Sequence, residues 1–257
     1  MSYLIICSVA FLASGLTFFS GFGLGTLLLP AFALFFAIEK AVALTAVVHF
    51  LNGVFKLFLV WRHIDGAVVV RFGLPAIVGA FAGAWLLVWL SGSGPLLTYS
   101  LFGRTVELVP AKLIVGLLLL FFACAELLPA FRRISFPSGY QPLGGVLSGF
   151  FGGLAGMQGA LRSAFLVKAG LAKESYVATG AAIAFLIDVS RLAVYSRLLA
   201  DHRADFDYEL LAAAVVAALL GSIVGNRYLP KATMRGIQGV VAVMLFAVAL
   251  GLISGIL

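Results

Sequence analysis

The chain has 257 residues, 63% of them hydrophobic and only 11% charged, with a mean hydropathy of +1.16. A soluble domain carries roughly 45–50% apolar and about 25% charged residues, so composition excludes a soluble enzyme or binding module and points to an all-α polytopic membrane protein. The net charge of +7 comes with no basic run longer than Arg132 and Arg133, which suits cytoplasmic loops and not a nucleic-acid partner.

Eight apolar units follow in chain order, at roughly 3–36, 40–60, 69–91, 110–131, 142–171, 175–198, 208–228 and 232–256. No Lys or Arg precedes the first, and it runs well past Ala13, so it reads as a retained membrane segment, not a signal peptide. A helix over the whole of unit one would be about 51 Å long, against a hydrocarbon core of about 30 Å. Units one and five are therefore expected to break at their glycines into two shorter helices, as re-entrant or hairpin pairs. Cys7 and Cys124 both lie in apolar stretches and read as small core residues.

The two long units share a pattern. With a constant offset of 134, Ser14, Gly15, Gly25 and Leu27 fall on Ser148, Gly149, Gly159 and Leu161, and Thr45 falls on Thr179. Units three and seven both carry a GxxxG pattern, Gly79 with Gly83 and Gly221 with Gly225. Units four and eight both open on a basic residue, Ile and Gly: Lys112, Ile114 and Gly116, then Arg235, Ile237 and Gly239. These matches in chain order predict two four-unit repeats, an N-terminal transmembrane repeat over 1–131 and a C-terminal one over 142–257, joined by a cytoplasmic linker at 132–141. A glycine-broken helix at corresponding places in two halves is a pointer to a transporter's binding site.

Crossing parity separates parallel from inverted repeats. If each broken unit returns to its starting side, each half crosses an odd number of times and the repeats are inverted. One side then receives Arg62, Arg71, Arg132, Arg133, Arg227, Lys231 and Arg235, seven basic residues against four on the other. The parallel arrangement gives six against five. The positive-inside rule favours the inverted arrangement, with both termini outside.

The run from Gly21 through Gly23, Gly25, Thr26 and Leu27 to Pro30, its echo at 152–159, the chain length and the eight units together resemble the sulfite exporter TauE/SafE family of permeases. The resemblance covers nearly the whole chain. It implies transport of small anions, often sulfur-containing: sulfite, sulfonates such as sulfoacetate, or related organic acids, in some members coupled to protons. The second half departs from the pattern. The position matching Pro30 is Ala164, and Arg162 stands where an apolar residue is more usual.

An ionisable residue inside the membrane is a functional candidate by default. Arg162 follows the second glycine break, where its guanidinium can grip a sulfonate or carboxylate through two parallel hydrogen bonds. A half-helix start adds unpaired amides and a positive dipole end, and Gly21, Gly23, Gly25, Gly153, Gly156 and Gly159 let a ligand approach closely. The alternative is that Arg162 pairs with Asp188 or a carbonyl and only locks the halves together. Unit two places Thr45, His49, Asn52 and Lys56 on one helix face; they line a polar path, or His49 and Asn52 are interhelical glue and Lys56 snorkels to the interface near Trp61. Unit six carries Asp188, Arg191 and Tyr195 at helical spacing, with Arg191 either a second anion ligand or the ion-pair partner of Asp188. The expected anion set is Gly21, Gly23, Gly25, Thr26, His49, Asn52, Lys56, Gly153, Gly156, Gln158, Gly159, Arg162, Ser163 and Arg191, with His49 and Asp188 as proton carriers.

No nucleophile elbow, Walker loop or His-Glu-x-x-His site is present in the sequence, so neither an enzyme nor a bound cofactor or metal is expected. The expected function is a secondary transporter of a small organic or sulfur-containing anion in a bacterial inner membrane, working by alternating access. Its partners are the anion, protons and the bilayer; a homodimer is left open. An intramembrane enzyme on a lipid-linked anion, an anion channel and an assembly protein are the competing classes.

Overall fold

In hydrocarbon, a chain this apolar satisfies its backbone by coiling into helices. The computed structural model describes residues 1–17, 23–101, 104–128, 134–201, 207–228 and 234–257. Among these are ten helices. The first half holds α1 (Ser2–Thr17), α2 (Leu24–Ala33), α3 (Ile38–Val60), α4 (Gly66–Ser91, with a wider π turn at Val69–Gly73) and α5 (Pro110–Leu127). The second holds α6 (Gln141–Ala155), α7 (Gly159–Leu166), α8 (Lys173–Asp201), α9 (Tyr208–Tyr228) and α10 (Met234–Ile253). Four of them, α3, α4, α8 and α9, are long and apolar enough to cross a membrane; α1, α2, α5 and α10 contribute shorter apolar helices. The outward faces carry Phe58, Val78, Trp85, Trp89 and Val243, the surface that lipid covers.

Between α4 and α5, outside the apolar units and contrary to the all-α expectation, the chain forms an antiparallel pair of strands, β1 (Leu97–Leu101) with β2 (Arg104–Leu108). It is tied to the end of α10. The Tyr99 hydroxyl donates to the Ser254 carbonyl, and Lys112 Nζ donates to the carbonyls of Glu107 and Gly255 at 3.2 and 3.3 Å.

Two close helix pairs join the halves. On α4, Gly79 and Gly83 face the backbone of Val146 and Phe150 on α6; in return Gly145, Gly149 and Gly153 of α6 face the carbonyls of Phe72, Ala76 and Ala80. The numbers rise together, so α4 and α6 run parallel. On α9, Gly221 and Gly225 face the carbonyls of Phe11 and Gly15, so α1 and α9 also run parallel. A side chain at any of these glycines would overlap a neighbour's backbone, which cannot swing aside. Gly149→Ala is expected to destabilise the protein by roughly 1–3 kcal/mol, the usual cost of overpacking. A thermal-unfolding midpoint in detergent unchanged from wild type would contradict this contact.

The other cross-half pairs run in opposite senses. His49 meets Asp188 while Asp65 meets Thr179, so α3 and α8 are antiparallel. Lys112 meets Gly255 while Gly116 meets Ala249 and Ile253, so α5 and α10 are antiparallel. Asp65 and Asp207 cap α4 and α9, their carboxylates accepting from the amides of Val68 and Leu210 at 3.0 and 2.8 Å. Their spacing in the sequence is that of Gly79 to Gly221 and Gly83 to Gly225.

Candidate functional site

Unit five is interrupted at Gly156, whose φ of 74° ends α6 in the left-handed conformation that glycine adopts without strain. Gly23, at φ 65°, stands in the same conformation immediately before α2. The start of α2 abuts the break at Gly156: a Cβ on Gly25 would sit 2.9 Å from the Gly156 carbonyl oxygen. Glycine is needed there because two backbones touch.

The end of α6 leaves carbonyls that need donors. Arg191 Nη1 donates to the Gly152 carbonyl at 3.3 Å, and the Tyr195 hydroxyl donates to that of Gly153. Both come from α8, and both are fully buried. Arg191 also holds Asp188 one turn earlier, through Nε at 3.0 Å and Nη2 at 2.8 Å. The other oxygen of Asp188 lies 2.5 Å from His49 Nδ1 on α3. Gln158 Nε2 donates to Asp188 at 3.2 Å, while Gln158 Oε1 accepts from Arg162 Nη1 at 3.0 Å. Ser148 fixes the Gln158 backbone by donating to its carbonyl at 3.0 Å. One polar chain therefore runs from Arg162 through Gln158 to Asp188, and from there to His49 and Arg191.

Beside this chain lies a cavity of about 80 Å³, room for several waters or a small anion. Its polar wall is His49, Asn52 and Lys56 of α3 with Arg162 and Ser163 of α7 and Tyr176 of α8. Gly23 and Leu24 bring the start of α2 to it, and Leu166, Val60 and Ala184 supply apolar surface. Gly180 leaves room for Arg162; a Cβ there would stand 3.6 Å from Arg162 Nε. No Asp or Glu is among the lining residues. Two basic side chains, a half-helix start and a small apolar remainder form a site suited to an anion.

The structure gathers Gly23, His49, Asn52, Lys56, Arg162 and Ser163 on this wall. Asn52 has a second engagement: its Oδ1 accepts from Ser14 at 3.1 Å and Ser222 at 2.7 Å, joining α1, α3 and α9. Gln158 and Asp188 stand one layer behind the wall. Arg191 is held off it, in the ion pair and on the α6 carbonyls. Gly25 and Gly156 form the backbone contact, Gly153 packs against Ala80, and Thr26 and Gly159 are buried in the first turns of α2 and α7. Gly21 lies outside the described residues. Tyr176 was missed by the sequence reading, although Tyr176, Gly180, Ala184 and Asp188 recur every four residues along one face of α8.

Searches of curated proteins and of solved structures returned no match. A family model described as sulfite exporter TauE/SafE matches residues 6–252, nearly the entire chain. With its apolar helices, the chain is a multi-pass membrane protein, and it belongs to the sulfite exporter TauE/SafE family of membrane transporters.

Proposed function

We propose that this chain is a secondary transporter that moves a small organic or sulfur-containing anion, such as sulfite, a sulfonate or a carboxylate, across a bacterial inner membrane by proton-coupled alternating access. The observation that carries this is the cavity at the start of α2 and beside the Gly156 break, with Lys56 and Arg162 among its lining residues and no Asp or Glu among them. Arg162, Lys56, Ser163 and the start of α2 bind the anion. Asp188 and His49, joined to Arg162 through Gln158, carry the proton. Arg191, Tyr195 and Ser148 position that pair.

Two inverted repeats supply the rocking element. The senses of the helix pairs favour this arrangement. Parallel repeats would make α3 and α8 run the same way, and α5 and α10 likewise; inverted repeats make both pairs antiparallel and still leave α1 parallel to α9 and α4 parallel to α6. The cavity extends toward Val60, Leu166 and Tyr176, next to Arg62 and to Phe136, whose ring stacks on Phe165 at 4.3 Å. That end carries Arg62, and the positive-inside rule favours the cytoplasm for it. The conformation is inward-facing on this reading.

The test is uptake of sulfite, sulfoacetate and small carboxylates into liposomes holding the purified protein under an imposed pH gradient. Saturable uptake that follows the gradient is expected. Arg162→Ala should cut it about 10–100-fold, the effect of losing hydrogen bonds to a charged group worth ~1.5–3 kcal/mol. Absence of uptake for every anion, or equal uptake by a well-folded Arg162→Ala, would overturn the proposal.

A further inference from the structure

We infer that the proton carried with the anion resides on His49 Nε2, in contact with the cargo, while a second proton stays between His49 and Asp188 throughout the cycle. This rests on the transporter reading above and assigns its proton to one atom.

The partners of Asp188 make the assignment. Its Oδ1 accepts from Arg191 Nε at 3.0 Å, Arg191 Nη2 at 2.8 Å and Gln158 Nε2 at 3.2 Å. A guanidinium only donates. The Gln158 amide is fixed in the donating sense too, because its Oε1 accepts from Arg162. A proton on Oδ1 would therefore meet donors on every side. That leaves Oδ2, which lies 2.5 Å from His49 Nδ1. A gap of that length holds one proton: with none, a ring lone pair would face a carboxylate, and two would collide. The pair keeps that proton in either tautomer, and a further one can go only to Nε2.

His49 brings this nitrogen to the cavity. The residue lines the cavity with 16% of its side chain exposed, while Asp188 is fully buried. Nδ1 is turned to Asp188, so Nε2 stands on the far side of the ring, and it has no hydrogen-bond partner among the described residues. The ring edge beside it reaches the start of α2: a Cβ on Gly25 would stand 3.7 Å from Cδ2. The ionisable groups around it are Asp188 on α8, with Arg191 behind, and Lys56, Arg162 and Tyr176 along the cavity. Helices α2 and α6 contain none, and α9 keeps Tyr208, Glu209, Arg227 and Tyr228 at its ends.

Without its proton Nε2 is an acceptor and turns a lone pair toward an anion. With its proton it is a charge-assisted donor. Proton and anion share one contact, so they bind together and leave together, one for one. The proton comes from water and returns to water, and the Nε2–H bond is the only bond made and broken. The rival carrier is Lys56, whose amine on the same wall can also exchange a proton.

The experiment is calorimetric titration of the purified protein with sulfoacetate and methanesulfonate, in buffers of different ionisation enthalpy. Both anions keep one charge state from about pH 6 to 9, so a proton taken up on binding goes to the protein. The wild type is expected to take up close to one proton per anion at the alkaline end, where affinity falls about tenfold per pH unit. His49→Gln should bind without proton uptake and with a flat pH profile; Lys56→Gln should keep the uptake. Nitrogen chemical shifts of His49 in the wild type test the same point without a substitution: Nε2 should gain its proton when the anion binds. Binding to the wild type without proton uptake, an Nε2 shift that ignores the anion, uptake kept in His49→Gln, or uptake lost in Lys56→Gln alone would each overturn the inference while leaving anion transport intact. Failure of the wild type to bind or transport any of the anions would overturn the transporter reading itself.

Discussion

Asp188→Leu should lower stability in detergent by about 3–5 kcal/mol, because it strands a buried arginine without its counter-charge. Asp188 and Arg191 are both fully buried, and the carboxylate is the only acid that the described structure sets against that guanidinium. Combining Asp188→Leu with Arg191→Met should recover more than half of the loss, since two apolar side chains of similar size replace a pair whose desolvation largely cancels its attraction. Uptake should not return with stability. Without Asp188, His49 and Gln158 lose the group that joins them, and the polar chain from Arg162 to His49 is cut. Thermal unfolding and uptake measured on wild type, the single and the double variant separate the two roles. A double variant that transports would show that Asp188 serves only to hold Arg191; a single variant as stable as wild type would show that it does not even do that.

The sequence made the membrane class legible because composition alone decides it; the break expected in unit five is seen at Gly156, and the corresponding stretch of unit one at 18–22 lies outside the described residues. The sequence also brought Lys56, Arg162 and His49 forward, since charge in an apolar unit is visible without a structure. Which way those residues face was not legible. The helix α8 is apolar nearly all round, so spacing places Asp188 and Arg191 on adjacent turns but cannot say whether Arg191 looks into the cavity or back onto α6. The carbonyls of Gly152 and Gly153 decide that, and a helix end's need for donors is a property of the fold. Asn52 is similar: its serine partners, Ser14 and Ser222, lie on two helices remote from it in the chain. The hairpin at Leu97–Leu108 escaped notice because its strands are five residues each, too short to register beside apolar units of twenty. The caps at Asp65 and Asp207 were readable in principle. They continue the spacing of the GxxxG pairs, but a lone aspartate at a helix start carries no signal until its partner is aligned with it.

The inverted-repeat arrangement proposed above predicts where the cavity would open in the opposite state. When two such halves exchange conformations, each residue that lines the inner cavity hands its role to its counterpart in the other half. At the repeat offset, Arg162, Ser163 and Leu166 correspond to Leu28, Leu29 and Phe32 of α2; Tyr176, Val177 and Gly180 correspond to Val42, Ala43 and Ala46 of α3; Lys56 corresponds to Ser190. In the present conformation these counterparts are buried at 4% exposure or less, most within one apolar cluster. The outer path is therefore expected to open between α2, the first half of α3 and the second half of α8. Ala46→Cys in a Cys7→Ser, Cys124→Ser background should react with a membrane-impermeant thiol reagent from the periplasmic face, and Ser163→Cys from the cytoplasmic face. Conditions that raise one labelling rate several-fold should lower the other, because one conformational equilibrium governs both. Labelling of both cysteines from the same face, or a silent Ala46→Cys under every gradient and anion tried, would break the link between the repeats and the transport cycle. The counterpart residues also differ from the cavity in chemistry: none of them carries a charge.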